Sequence, residues 1–96
     1  MIDKLNGKTA IVTGASRGIG RAIALKLGAM KASVVVNYVN DEKAAASTAS
    51  DIEKAGGKAV AMQADVRQVR DIQLLFDRTL NDFGGVDILV NNAGIR

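Results

Sequence analysis

The chain has no cysteine and no histidine. Without cysteine there is no disulfide framework and no thiolate chemistry. Without histidine, metal sites and imidazole-based catalysis are nearly excluded. Aromatic residues are scarce: Tyr38, Phe76 and Phe83 are the full set. A core must therefore come from valine, isoleucine, leucine and alanine. No apolar run approaches the ~20 residues of a membrane-spanning helix, and residues 1–7 show no signal-peptide h-region. The expectation is a soluble, cytoplasmic protein with no membrane partner. Charge of one sign is nowhere concentrated. Thirteen Lys and Arg against 10 Asp and Glu leave a net +3, scattered along the chain, which argues against a nucleic-acid partner. A modest basic excess suits an anionic ligand.

What is present reads as one small globular domain over residues 1–96, 48% hydrophobic and 24% charged. A domain of this size buries only about 60–65% of its unfolded surface. Strand and helix patterns alternate, which predicts an α/β fold with a parallel sheet covered by helices. Strands are expected at about 8–13, 32–38, 58–63 and 86–91. The continuous Val34-Val35-Val36 and Ile88-Leu89-Val90 runs suit strands buried on both faces. Helices are expected at about 17–30, 41–55 and 66–83. The first presents Ile19, Ile23 and Leu27 on one face. The second should bury Ala45, Ala49 and Ile52 and carry Asp41 as its cap. The third should bury Val69, Ile72, Phe76, Leu80 and Phe83. Gly56-Gly57 and Gly84-Gly85 end the last two. Right-handed crossovers then give the first half of a Rossmann-type sheet in the order 3-2-1-4. Thr13, Tyr38, Asp65 and Asn91 fall at or just past the carboxyl ends of its strands, where such sheets bind ligands.

The stretch Thr13-Gly14-Ala15-Ser16-Arg17-Gly18-Ile19-Gly20 joins the first strand to the first helix. Gly14 can adopt a backbone conformation that a Cβ would forbid, Gly18 admits a ligand close to the main chain, and Gly20 lets the helix lie near the strand. The free N–H groups of the first helical turn then make a phosphate site. It is not a P-loop, because Arg21 follows Gly20 where a Lys-Ser or Lys-Thr pair is required. Asp65 reads as the cap of the third helix, with Gln68 completing a capping box. Asn91-Asn92-Ala93-Gly94 reads as a polar turn closing the fourth strand.

Together these stretches resemble the short-chain dehydrogenase/reductase family. The Thr-Gly-x-x-x-Gly-x-Gly spacing, Asp65-Val66 and the run from Asp87 to Gly94 match its elements in register over essentially the whole chain. The look is closest to 3-oxoacyl-[acyl-carrier-protein] reductases and to sugar or alcohol dehydrogenases. The resemblance implies an oxidoreductase that transfers hydride between a nicotinamide cofactor and a small carbonyl or alcohol substrate. It implies cofactor contacts at Gly14, Ser16, Arg17, Gly18, Ile19 and Gly20, and at Tyr38 at the end of the second strand. Asp65 would accept from the adenine amino group while the Val66 amide reads the ring, a role compatible with the cap. Asn91, Asn92, Ala93 and Gly94 would line the cofactor ribose. Lys31 departs from the pattern, since glycine is common there.

The family's catalytic Ser and Tyr-x-x-x-Lys have no counterpart in these residues: Tyr38 is followed four positions on by Glu42, and the serines are Ser16, Ser33, Ser47 and Ser50. No catalytic residue is assigned, the chain reads as an N-terminal cofactor-binding fragment, and it is expected to be inactive alone. A non-catalytic dinucleotide-binding or interaction module, or a truncated product without function, stays open beside the enzyme reading. NAD-preferring members carry a carboxylate at the end of the second strand, where this chain has Tyr38 and no acid from Gly20 to Asn40. Arg17 beside the glycines is placed to meet a 2′-phosphate, so NADP(H) is expected over NAD(H). The fourth strand, with no Pro or Lys to protect its edge, is expected to promote self-association.

Overall fold

Residues 4–92 are described by the computed structural model. In chain order they form β1 (Thr9–Val12), α1 (Gly18–Ala29), β2 (Ser33–Tyr38), α2 (Glu42–Lys54), β3 (Lys58–Gln63), α3 (Val69–Phe83) and β4 (Ile88–Val90). The strands make one parallel sheet in the order β3-β2-β1-β4. Ile11 of β1 sits between Val35 of β2 and Leu89 of β4.

The apolar runs of β1 and β2 feed two cores, because successive side chains of a strand point to opposite faces. Val12, Val34 and Val36 pack with Ala24 of α1 and with Ala45, Ala49 and Ile52 of α2. Ile11 and Val35 pack on the other face with Met62 and with Leu75 of α3. Burying each such Val, Leu or Ile contributes roughly 1.5–3 kcal/mol. The inner stripe of α2 is as expected, with Thr48 added to it. Asp41 caps that helix, its side chain accepting from the Ala44 N–H at 3.0 Å.

Three expectations are corrected. The closest face of α1 is Gly20, Ala24 and Gly28, spaced one turn apart; Ile23 and Leu27 reach the core only in part, and Ile19 is 63% exposed. Small residues let this helix sit against its neighbours, so its inner face carries little hydropathy. The inner face of α3 is as expected only in part: Phe76 and Phe83 pack against the core, but the buried residues are Leu75 and Thr79, whereas Val69 is 71% and Leu80 50% exposed. Helix α3 also starts later than expected, with Gln68 at its cap position making no side-chain capping bond. Asp65 lies outside the helix and closes a tight turn, its Oδ1 accepting from the Arg67 N–H at 3.0 Å. No capping box forms.

Lys31 follows α1 with a φ of +74°, a left-handed backbone usually left to glycine. Its Nζ donates to the Gly56 carbonyl at 3.4 Å.

Candidate functional site

The carboxyl ends of all four strands open on one groove of about 670 Å³. Gly14, Ser16, Arg17, Tyr38, Asp65, Val66 and Asn91 line it, with Asp41, Arg67, Phe76 and Leu89 among their neighbours. Seven of the sequence-predicted residues are thereby brought to one place. Gly18, Ile19, Gly20 and Asn92 are not among its lining residues, although Gly20 and Asn92 both lie against Gly14. Ala93 and Gly94 lie outside the described residues.

The turn from β1 into α1 has the geometry its glycines suggest. Gly14 and Gly18 take φ values of +61° and +64°, which a side chain would make costly. Around Gly18 the space where a Cβ would project is open. At Gly20 a Cβ would stand 2.2 Å from the Gly14 carbonyl oxygen and 2.5 Å from Asn92 Nδ2, so only glycine permits this approach. The N-cap of α1, Arg17, makes no side-chain capping bond, and no acid sits in the first turn. The orphan N–H groups and the positive dipole end are thus left for an anion.

Side chains tie the turn to the sheet. Thr13 Oγ1 accepts from the Asn92 N–H at 2.9 Å, and Asn92 Nδ2 donates to the Gly14 carbonyl at 3.1 Å. Thr13 Oγ1 is also 3.3 Å from Asn91 Oδ1. Thr48 Oγ1 donates to the Ser16 carbonyl at 3.3 Å and accepts from Arg21 Nη1 at 2.8 Å.

Asn37 was not singled out from the sequence, and it holds the centre. It is fully buried. Its Nδ2 donates to the carbonyls of Met62 (3.3 Å) and Ala64 (3.1 Å), and its Oδ1 accepts from the Gly14 N–H at 3.3 Å. One amide joins the ends of β2 and β3 to the glycine turn. The available signal was its setting: a polar residue next to a strand run buried on both faces must find partners.

Two ion pairs frame the groove. Arg17 Nη2 pairs with Asp41 Oδ2 at one side. At the other, Arg67 Nε donates to Asp65 Oδ1 at 3.0 Å and its Nη2 to Oδ2 at 2.9 Å. The Arg67 guanidinium, with help from the Arg67 N–H, holds the Asp65 carboxyl below the usual carboxylate range.

The sequence pattern of the short chain dehydrogenase family matches residues 8–96. The chain belongs to that family. Among its relatives is 3beta-hydroxysteroid dehydrogenase 1 of Eggerthella lenta, 53% identical over 95 residues, which make up 99% of this chain and 36% of that protein. A dehydrogenase/reductase from Sinorhizobium meliloti superposes with a TM-score of 0.93 at 50% identity, covering 98% of this chain and 37% of that one. Landomycin C-6 ketoreductase LanV, solved with bound NADP and rabelomycin, gives 0.86 at 49% identity over 96% of this chain and 40% of its own. This short chain dehydrogenase sequence therefore spans little more than a third of the length of those relatives. The parallel sheet in the order 3-2-1-4 with flanking helices is the arrangement it shares with its Rossmann-like structural neighbours.

Proposed function

We propose that this chain is the NADP(H)-binding part of a short-chain dehydrogenase/reductase whose whole protein moves a hydride between NADP(H) and a small carbonyl or hydroxyl substrate. The observation that carries this reading is the glycine turn: it delivers an uncapped helix N-terminus to a groove at the strand ends. In this reading the backbone of Gly14, Ser16, Gly18, Ile19 and Gly20 cradles a pyrophosphate. Arg17 meets the 2′-phosphate, and Tyr38 stands where a carboxylate would favour the free ribose hydroxyls. Asp65 takes a base amino group. Its Oδ1 already accepts two bonds from Arg67 and its Oδ2 one, so Oδ2 retains acceptor capacity. The Val66 amide reads the ring, and Asn91, Asn92, Ala93 and Gly94 border the ribose. The cofactor, when bound, supplies or takes up the hydride; this chain's residues bind and orient it.

The parent substrate class we assign is a carbonyl compound of the kind reduced by 3-oxoacyl-[acyl-carrier-protein] reductases or by sugar and alcohol dehydrogenases, with a soluble cytoplasmic setting. Titration of the chain with NADPH and NADH, followed by nicotinamide fluorescence, tests the cofactor reading. We expect NADPH to bind about tenfold tighter, and Arg17→Ala to remove that advantage, as loss of a charge-assisted contact does. Equal affinities, or no effect of Arg17→Ala on either cofactor, would overturn it.

A further inference from the structure

We infer that Asp41 is a specificity-determining residue of the groove, one that occupies Arg17 and so restrains the preference for a 2′-phosphorylated dinucleotide. The inference rests on the cofactor reading above. Asp41 divides its carboxylate between two tasks. Oδ1 accepts the Ala44 N–H at 3.0 Å and caps α2, while Oδ2 pairs with Arg17 Nη2. Both residues line the groove. The cap anchors Asp41, whose side chain is 34% exposed; Arg17 is on a long side chain 75% exposed. Arg17 is therefore the partner free to swing.

Two other arginines that could meet an anion are committed elsewhere: Arg67 to Asp65, and Arg21 to Asp51 and Thr48. A phosphate on the ribose must draw Arg17 away from Asp41, or share it and sit beside a like charge. A plain ribose hydroxyl meets neither cost, because a hydroxyl can donate to a carboxylate. Asp41 thus acts against the phosphorylated cofactor only, by sequestering its cation and by repelling its charge.

Asp41→Asn separates these effects from folding, since asparagine caps a helix as well as aspartate does. We expect NADPH to bind roughly two- to fivefold tighter, the range set by releasing an exposed ion pair, with NADH unchanged or weaker. The gain should shrink at high salt and in an Arg17→Ala background. Circular dichroism and thermal unfolding should stay close to those of the unsubstituted chain. If Asp41→Asn fails to fold, Asp41→Ser provides a second capping residue without the charge. Unchanged NADPH affinity, or an equal rise for both cofactors, overturns the inference while leaving the cofactor reading intact. Failure of the unsubstituted chain to bind either cofactor overturns both.

Discussion

Asn37 concentrates the link between packing and site in one side chain. Its amide satisfies two carbonyls on β3 and its following residue, and one N–H of the glycine turn, with no exposure to water. Leucine there would be close in size but would leave those groups short of partners inside the protein. Asn37→Leu should therefore destabilise the chain by about 2–4 kcal/mol in urea unfolding, and a change below about 0.5 kcal/mol would mean the amide is dispensable. Asp65 supports a second expectation at this scale. Its carboxyl titrates below the usual carboxylate range, chiefly because Arg67 donates to it. The stability it contributes is thus present above the ordinary carboxylate pKa and is lost as pH falls through its own lower value. A carboxyl-carbon NMR titration of Arg67→Ala should move the Asp65 midpoint upward, leaving a residual depression from the backbone N–H of residue 67. An unmoved midpoint would contradict the pairing.

At the level of elements, α3 tells most about what hydropathy can reveal. Leu75 is 3% and Leu80 50% exposed, although both are leucines on one helix. Leu75→Ala should cost about 2–4 kcal/mol, the range for emptying a packed site, whereas Leu80→Ala should cost well under 1 kcal/mol. Matching losses in denaturant unfolding would reject the observed helix face. The presence of this helix and its end at Gly84 were legible in the sequence, as were all of α2, its Asp41 cap and the bounds of β3. The valine run gave away β2 because a strand covered on both faces needs no alternation. Of the inner face of α1 only Gly20 was legible; Ala24 and Gly28 were hidden, since they pack through smallness. The face of α3 was legible at Phe76 and Phe83 but misplaced at Val69 and Leu80, because its outer side also carries Val69, Leu74 and Leu80, and Thr79 is buried. Asp65 looked like a cap because a turn-closing carboxylate and a capping one have the same local spelling. At the groove, Thr13, Tyr38, Asp65 and Asn91 were readable from strand ends, Gly14 and Arg17 from the glycine turn, and Val66 only through the family resemblance, while Asn37 and the partner of Arg17 depend on distant segments coming together.

For the molecule as a whole, the sheet order places every strand end at the same rim, and that places the groove. The same order puts β4 at the margin of the described sheet, paired with β1. Leu89 on it is 52% exposed, and Val69, Leu74 and Leu80 add apolar surface on α3. Exposed apolar side chains at a sheet margin lead us to expect association between chains. Sedimentation of the 96-residue chain should show concentration-dependent dimers or larger species, reduced by Leu89→Lys; a monomer at all concentrations would contradict this. The central claim is that the groove at the strand ends receives a nicotinamide dinucleotide. Its most direct test is backbone amide NMR of the isotopically labelled chain during addition of NADP⁺. The account predicts saturable shifts centred on Gly14–Gly20, Tyr38, Asp65-Val66 and Asn91, abolished by Gly14→Val. Absence of shifts, or shifts centred away from the strand ends, would contradict it.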